Sequence, residues 1–209
     1  MWAYKYNIII HDEYIMIHDI FKIPIYEVDL DLDTEKLYVL CNQHKTNSPS
    51  RIRTNVGGYQ SDNLDLTFAK VDSVLGPLLK EIQIHSSNFA KEFVDNHQQS
   101  LSNIWMNINS FGDYNRCHNH PDSTISGVYY VKTPRCCGNI VFEHPAISVF
   151  NYYFKDAISR EKYNEYNAQA WWKPAVENRL YLFPSWLNHH VEPNLNNTKE
   201  RISFSFNTI

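Results

Sequence analysis

Glycine, positive charge and paired cysteines are all scarce in this sequence, and each scarcity excludes a class of protein. Only 6 of the 209 residues are glycine whereas 14% are aromatic, which favours sheets with large packed side chains over a helical bundle. The 19 lysine and arginine residues are outnumbered by 23 acidic ones, which gives a formal charge of −4. Because no global basic field would steer the chain to nucleic acid or anionic lipid, a dedicated nucleic-acid binder is not expected.

Long hydrophobic runs are also lacking. The apolar run from Ile8 to Ile10 is followed at once by His11, Asp12 and Glu13. It is too short for the hydrophobic part of a signal sequence or for a membrane span. We therefore expect no membrane association.

The four cysteines form no C-x-x-C pair; they are Cys41, Cys117, Cys136 and Cys137. A disulfide between neighbours such as Cys136 and Cys137 is strained, so the sequence favours reduced thiols and a cytoplasmic setting. Cys117 precedes His118, but no Asp or Asn that would orient a Cys–His pair is identifiable. A cysteine nucleophile is therefore disfavoured.

The length and the 43% hydrophobic content fit a single domain spanning residues 1–209. We expect residues 1–20 to form an N-terminal extension, and Met16 is an alternative start to Met1. Residues 21–100 are predicted to supply a strand and a helical support for the remainder of the domain.

The pattern within this first half changes from alternation to helical spacing. Residues 21–30 read as a strand, and Asp33 then offers a helix start. Between residues 65 and 96 the apolar positions recur at helical spacing. This predicts one or two helices, with a break at Gly76-Pro77.

The second half returns to alternation. Apolar positions such as Ile104, Met106 and Ile108 are separated by single residues, so residues 101–209 are predicted to form a β-barrel core. Residues 150–172 form a polar, Tyr-rich insertion between two strands and are a candidate lid. The predicted fold class is α+β, mainly β, with an N-terminal helical layer packed on a β-sandwich or barrel.

The densest cluster of metal-capable residues follows the midpoint of the chain. Side chains at positions i and i+2 of a strand share a face, so His118 and His120, or His120 and Asp122, could bind one ion together. The third ligand would come from His189 or His190. Two imidazoles plus one more hard ligand on one face of an octahedron is the arrangement of non-haem Fe(II) sites that activate O₂. A lone His-x-His pair is more often structural, so the pattern needs support from elsewhere in the chain.

The last strand carries a second feature. Arg201, Ser203, Ser205 and Asn207 lie on one face of it, and apolar side chains lie on the other. An arginine and hydroxyls lining a barrel lumen would bind a carboxylate, with the guanidinium as a bidentate donor. The alternative is a surface strand on which Arg201 pairs with a neighbouring glutamate.

Five motifs follow one another along the second half, and a sixth precedes them. The five are Trp105-Met-Asn-Ile-Asn109, His118-Asn-His120-Pro121 with the run to Val131, Gly138-Asn-Ile-Val-Phe142, the stretch from Leu182 to Pro193, and Arg201-Ile-Ser-Phe-Ser-Phe-Asn207. The sixth is Asn55-Val-Gly-Gly-Tyr-Gln-Ser61. Together they resemble the 2-oxoglutarate/Fe(II)-dependent oxygenase superfamily, and most closely a phage and marine bacterial family of such oxygenases.

This resemblance implies a double-stranded β-helix, which is a distorted jelly-roll (cupin-like) barrel, with iron at its mouth. It implies that His189 is the distal histidine and that Arg201 pairs with the remote carboxylate of 2-oxoglutarate. Tyr130 and Ser203 would be secondary donors to that carboxylate. Asn107 would contact the co-substrate near its other end.

One departure from the superfamily concerns the proximal pair of ligands. Most members read His-x-Asp, which would select His120 and Asp122, whereas the most similar family reads His-x-His-Pro, which would select His118 and His120. We prefer the second pair, which with His189 gives a three-histidine site, because position 122 need not be acidic in that family. Such a site lacks the negative charge of a carboxylate, so its iron affinity or potential would differ.

The implied activity is that of a 2-oxoglutarate-dependent dioxygenase, a hydroxylase that uses Fe(II), 2-oxoglutarate and O₂ and releases succinate and CO₂. The alternative is a non-catalytic jelly-roll protein, either a cupin-like metal-binding module or a phage structural or binding protein. Arg201 beside Ser203 discriminates between them, because a pure binding barrel has no reason to keep both beside three histidines. The implied location is the cytoplasm of a bacterium or a phage-infected host cell.

The implied partner is the small-molecule co-substrate, with no membrane and with nucleic acid disfavoured. The sequence leaves the prime substrate and a homodimer open.

Overall fold

The structure is a computed structural model, and it describes residues 7–10, 13–16, 18–95, 98–154 and 163–209. The elements of the first half are β1 (Asn7–Ile10), β2 (Glu13–Met16), β3 (Tyr26–Asp29), α1 (Thr34–Asn47), β4 (Asn55–Val56), β5 (Tyr59–Gln60), α2 (Leu66–Val71) and α3 (Leu75–Ala90). Those of the second half are β6 (Leu101–Asn109), β7 (Tyr114–His118), β8 (Ile125–Lys132), β9 (Asn139–Glu143), α4 (Ile147–Phe154), β10 (Ala170–Pro174), β11 (Arg179–Pro184), β12 (His189–Val191) and β13 (Arg201–Thr208).

Two antiparallel sheets form the body of the protein. The larger has six strands in the order β3-β11-β8-β13-β6-β5, and the smaller has five in the order β10-β9-β12-β7-β4. From β6 to β9, and again from β11 to β13, each strand lies in the opposite sheet to the one before it. This alternation is the double-stranded β-helix that the family resemblance implied, and the mainly β fold class is confirmed.

One face of the six-stranded sheet packs against the helices. Apolar side chains from β6, β8, β11 and β13 are buried there together with side chains of α1 and α3. Met106, Phe204 and Ile82 are fully buried within this layer. Full burial of a large apolar side chain is worth about 1.5–3 kcal/mol, so this layer is the main hydrophobic core.

The other face of the same sheet looks toward the five-stranded sheet. A smaller apolar cluster lies between them, in which Tyr130 and Phe183 of one sheet meet Ile140 and Phe142 of the other. The remainder of this interior is a cavity lined by polar side chains from both sheets.

The helix predicted to start at Asp33 is present. The Asp33 carboxylate accepts a hydrogen bond from the backbone N–H of Lys36 (3.1 Å) and so caps α1. The strand predicted at residues 21–30 is shorter and spans Tyr26–Asp29. Pro24, two residues before it, has no backbone N–H to donate to a ladder, which accounts for the later start.

The region 65–96 contains two helices, but the break between them is not at Gly76-Pro77 as predicted. The break is at Asp72, whose carboxylate accepts hydrogen bonds from the backbone N–H groups of Val74 (2.8 Å) and Leu75 (2.7 Å). Pro77 lies in the first turn of α3, where backbone N–H groups have no helical partner to lose. The proline is therefore compatible with the helix it was expected to interrupt.

The predicted insertion at residues 150–172 begins inside α4 and ends inside β10. Residues 155–162 lie outside the described residues, and the role of this segment as a lid stays a prediction. No helix in the described part of the chain is long and apolar enough to cross a membrane.

Candidate active site

Three histidines lie close together in the five-stranded sheet, at the place where β7 ends and β12 begins. His118 ends β7, His189 begins β12, and the two are directly paired across the strands. His120 follows β7, and its backbone N–H donates to the carbonyl of Ser185 (2.9 Å), the residue directly after β11. One ring nitrogen from each histidine lies within 4.8 Å of the others, and the ring centroids are 4.4, 4.9 and 5.2 Å apart. The three side chains can therefore hold one metal ion.

An irregularity in β7 places His118 in the cavity. His189 pairs with His118 and Val191 pairs with Asn115, so three steps along β7 match two along β12. The extra residue is a β-bulge, a feature that changes the direction in which the following side chain points. As a result, Asn115 and His118 both line the cavity between the sheets.

Backbone carbonyls fix the tautomer of two of the histidines. Nδ1 of His118 donates to the carbonyl of Arg116 (2.7 Å), and Nδ1 of His189 donates to the carbonyl of Leu187 (2.9 Å). A proton on Nδ1 leaves Nε2 with a free lone pair, which is the form that binds a metal. Both rings are thus oriented by the protein alone, with Nε2 available to a metal ion.

All three imidazoles are kept neutral by their surroundings. Burial lowers the pKa of His118, and it lowers the pKa of His120 to about 4, with the neighbouring His118 as a second cause. Burial is also the main reason that the pKa of His189 lies well below its ordinary value. Because neutral imidazole is the ligating form, no proton has to leave these rings at neutral pH before a metal binds.

The other candidate ligands that the sequence named lie apart from the three histidines. Asp122 is exposed at a turn, with a φ of 64°, and it does not belong to the group of ligand atoms around the histidines. His190 follows His189 on β12, so its side chain lies on the opposite face of the sheet, where it groups with Cys117 and Glu143. Neither Asp122 nor His190 joins the inner three.

Cys117 lies beside Glu143 and His190, which the sequence alone did not reveal, but its thiol is not activated. Cys117 is exposed, but partial desolvation of its thiol, followed by the hydrogen bond and the charge of Glu143, raises the pKa of Cys117 to about 11. Only the thiolate is a good nucleophile, so this environment disfavours a nucleophilic role.

Arg201 lines the same cavity and is only 1% exposed. Its Nη1 donates to the carbonyls of Cys137 and Glu192, the latter at 2.9 Å. Its Nη2 is buried and has no hydrogen-bond partner among the described residues. Burial lowers the pKa of Arg201, yet a guanidinium stays charged in proteins. A buried, charged donor without a partner is unfavourable, so this part of the cavity suits an anion.

A row of three polar side chains crosses the neighbouring strands beside Arg201. Tyr130 of β8 pairs with Ser203 of β13, which pairs on its other side with Asn107 of β6. The Tyr130 hydroxyl is buried without a partner in the described structure, and burial raises its pKa, so it stays a neutral donor. Asn107 donates through Nδ2 to the Ser205 hydroxyl (3.0 Å), which leaves its Oδ1 without a partner there.

Sequence reasoning missed several residues that line the cavity, among them Thr54, Asn109 and Asn115. Asn115 and His118 are three residues apart, a spacing that simple strand alternation places on opposite faces. For Thr54 a signal existed, because it precedes the Asn55 motif, whose strand β4 pairs with β7.

Solved structures with a similar fold cover almost the whole chain. The prolyl-4-hydroxylase of Pseudomonas putida aligns with a TM-score of 0.61 and 13% identity over 89% of this chain and 92% of that one. The viral collagen prolyl hydroxylase of Paramecium bursaria Chlorella virus-1, solved with 2-oxoglutarate, has a TM-score of 0.55 and 14% identity over 88% and 94%. HygX from Streptomyces hygroscopicus, solved with nickel and 2-oxoglutarate, has a TM-score of 0.56 and 8% identity over 89% and 82%. At these identities the likeness establishes the fold. No curated protein sequence matches the chain.

A comparison with protein families is more specific. Residues 103–207, half of the chain, match the family described as "Putative 2OG-Fe(II) oxygenase". The matched span contains the three inner histidines, Arg201 and most of the two sheets. The donor set therefore fits the Fe(II) and 2-oxoglutarate of that family, and the chain belongs to the 2OG-Fe(II) oxygenases.

Proposed function

We propose that the protein is a 2-oxoglutarate-dependent dioxygenase that hydroxylates a C–H bond of a second substrate. The observation that carries this proposal is the buried Arg201, which lines the cavity that the three histidines share and whose Nη2 has no partner among the described residues. A barrel that bound only a metal ion would gain nothing from burying this charge. The cavity is suited instead to a metal together with an anionic co-substrate.

Fe(II) would be held by His118, His120 and His189. When bound with 2-oxoglutarate and O₂, it supplies the chemistry that converts 2-oxoglutarate to succinate and CO₂ and hydroxylates the substrate. The Nδ1 hydrogen bonds of His118 and His189 orient these rings in advance. Since all three ligands are neutral, the site lacks the charge of the usual two-histidine, one-carboxylate arrangement, and we expect it to retain Fe(II) less tightly.

Arg201 would bind the remote carboxylate of 2-oxoglutarate through Nη2, with the hydroxyls of Tyr130 and Ser203 as further donors. The guanidinium is already positioned, because Nη1 is engaged by two backbone carbonyls. The site is also shielded from water, since Arg201 and Ser203 are 1% and 5% exposed. Charge-assisted hydrogen bonds are stronger in such surroundings than in water.

Asn107 would lie near the other end of the co-substrate. Its free atom, Oδ1, is an acceptor, whereas its Nδ2 is already engaged with Ser205. In this orientation the amide suits a water molecule or a hydroxyl group better than a carboxylate.

The end of the 150–172 insertion lies on the face that carries the metal ligands. Trp171 pairs with Phe142, which pairs with His189, which pairs with His118, so these four side chains share one face of the sheet. Trp171 is 44% exposed at the far end of this row. This placement supports the proposal that the insertion contacts the prime substrate.

The proposal is tested by anaerobic titration of the full chain with Fe(II) and 2-oxoglutarate, followed by admission of O₂ and measurement of succinate. We expect the visible charge-transfer band of the Fe(II)–2-oxoglutarate chelate, and slow succinate formation even without a prime substrate. Arg201→Met should weaken 2-oxoglutarate binding by about 100-fold, because the positive charge and the charge-assisted contact of Nη2 with the carboxylate are lost.

Arg179→Met is the matched control. Arg179 lies on β11 and pairs with Asp29 through two hydrogen bonds of 2.6 and 2.9 Å at the surface. It should leave the chelate band and succinate formation unchanged. Metal binding without a chelate band or succinate in the unsubstituted protein would favour a non-catalytic cupin-like barrel instead.

A further inference from the structure

A second group of metal-ligating side chains lies on the outer face of the five-stranded sheet. Cys117 of β7, Glu143 of β9 and His190 of β12 each offer one ligand atom, and these atoms lie within 4.8 Å of one another. β12 runs between β9 and β7, so His190 stands between the other two. Its Nδ1 is 3.9 Å from a carboxylate oxygen of Glu143.

This outer group is separate from the three inner histidines. His190 follows His189 and Glu143 follows Phe142, and His189 and Phe142 are directly paired on the inner face. Because successive side chains of a strand point to opposite faces, His190 and Glu143 project outward. The two groups share no residue, and the sheet lies between them.

The outer residues have the chemistry of a zinc site. Thiolate, imidazole and carboxylate are the three ligand types that Zn²⁺ takes in proteins, and three protein ligands leave a fourth position open. Zn²⁺ would displace the proton of the Cys117 thiol, which is released to solvent, and the resulting thiolate together with the carboxylate balances the charge of a divalent cation. In a tetrahedral zinc site the ligand atoms are roughly 3.3–3.8 Å apart, so only a small closure of the group is required.

The surroundings allow that closure and give the ion a way in. Cys117 is exposed, and Glu143 and His190 are partly exposed, so their side chains can adjust without disturbing the core. A softer, thiolate-containing site also differs in metal preference from three imidazoles, which favours Zn²⁺ over Fe²⁺ at the outer position.

We propose that Cys117, Glu143 and His190 form a zinc site on the outer face of the sheet, separate from the iron centre. Zinc bound there links β7, β9 and β12, and β7 and β12 also carry His118 and His189. It therefore stabilises the strands that hold two of the inner histidines, by the mass action of a ligand that binds only the folded state.

The test uses the full chain, freed of metal with a chelator and titrated anaerobically with Co²⁺ as a spectroscopic substitute for Zn²⁺. Cobalt bound to a thiolate gives a near-ultraviolet charge-transfer band that a site made only of histidines cannot give. In His118→Ala, in which the inner site is disrupted, this band should saturate at one equivalent of Co²⁺ per chain. Subsequent addition of Zn²⁺ should abolish it.

Two cysteine variants make the assignment specific. Cys117→Ser should lose the thiolate band, whereas Cys136→Ser, which removes another exposed thiol, should retain it. His190→Gln should weaken Co²⁺ binding at the thiolate site by at least tenfold, and it provides a second variant should the first fold poorly.

The absence of a thiolate band at excess Co²⁺, or its persistence in Cys117→Ser, overturns the proposal. The readout does not involve 2-oxoglutarate or O₂. A failure here is therefore distinguishable from a failure of the proposed dioxygenase activity.

Discussion

The two faces of the six-stranded sheet are both buried, but they are built in opposite ways. On the helix side, β6, β8, β11 and β13 present apolar side chains that pack against α1 and α3. On the barrel side, β6 and β13 present mostly polar side chains, and β8 and β11 contribute to the smaller apolar cluster between the sheets. Five buried side-chain atoms lack a partner in the described part of the protein, and four of them lie on that side: Gln60 Oε1, Asn107 Oδ1, Tyr130 Oη and Arg201 Nη2.

The difference shows how stability and recognition are divided between the two faces. An unsatisfied buried polar atom costs about 1–3 kcal/mol, so the barrel side lowers the stability of the ligand-free protein. The apolar layer on the helix side offsets that cost. The barrel side can then keep donors in place before any ligand arrives, which reduces the reorganisation needed for binding.

The largest effect is expected from a substitution on the helix side of β13. Phe204 is fully buried between Met106 and Tyr129, its neighbours on the adjoining strands. Phe204→Ala should lower the free energy of unfolding by about 3–5 kcal/mol, because it removes apolar burial and leaves a cavity. Denaturant unfolding monitored by circular dichroism measures this loss.

The adjacent residue provides the comparison for the barrel side. Ser205 points the other way and accepts a hydrogen bond from Asn107 (3.0 Å). Ser205→Ala should lower the unfolding free energy by only about 1 kcal/mol. If the two substitutions destabilised the protein equally, the division between a stabilising face and a recognition face would be wrong.

The sequence was sufficient for this division of faces. Alternation along β13 separates Arg201, Ser203 and Ser205 from Ile202 and Phe204, and the structure places the two sets on opposite sides of the sheet. The helix cap at Asp33 was also predictable, because it depends on neighbouring residues alone.

Features that depend on tertiary geometry were not predictable in this way. The bulge in β7 breaks the period that a strand pattern assumes, so Asn115 was missed as a cavity residue. The outer group of Cys117, Glu143 and His190 requires knowledge that β9 and β7 flank β12. The break at Asp72 is a different case, because its hydrogen bonds are as local as those of Asp33. It was missed because the prediction placed the break at Gly76-Pro77, although a proline is compatible with a first helical turn.

A smaller effect is expected at Gly138, which supports the position of Arg201. Its φ is +83°, and an added Cβ would lie 2.6 Å from the carbonyl oxygen of Glu192 and 3.0 Å from Nη1 of Arg201. The Glu192 carbonyl is one of the two acceptors that hold Nη1. Gly138→Ala should therefore displace the guanidinium and weaken 2-oxoglutarate binding about tenfold, with a stability loss of about 1–3 kcal/mol.

Gly112→Ala separates the contact from the backbone strain. Gly112 also has a φ of +83°, but nothing lies within 4 Å of its added Cβ. Gly112→Ala should lower the free energy of unfolding by the cost of the left-handed conformation alone. It should leave the 2-oxoglutarate affinity unchanged in a calorimetric titration. Equal losses of affinity in the two variants would mean that Gly138 does not act through Arg201.

The smallest effect, and the sharpest test of the comparison, comes from two adjacent tyrosines on β8. The Tyr130 hydroxyl faces the cavity without a partner in the described structure, whereas the Tyr129 hydroxyl donates to Oδ1 of Asn178 (2.5 Å) on the other side. Tyr130→Phe should leave stability unchanged or raise it, because it removes an unsatisfied polar atom, and it should weaken 2-oxoglutarate binding several-fold. Tyr129→Phe should do the reverse, lowering the unfolding free energy by about 1 kcal/mol with no change in affinity. Thermal unfolding and the chelate band, measured in parallel in both variants, test this difference. A loss of stability in Tyr130→Phe would show that the Tyr130 hydroxyl already has a hydrogen-bond partner in the ligand-free protein and is not available to a ligand.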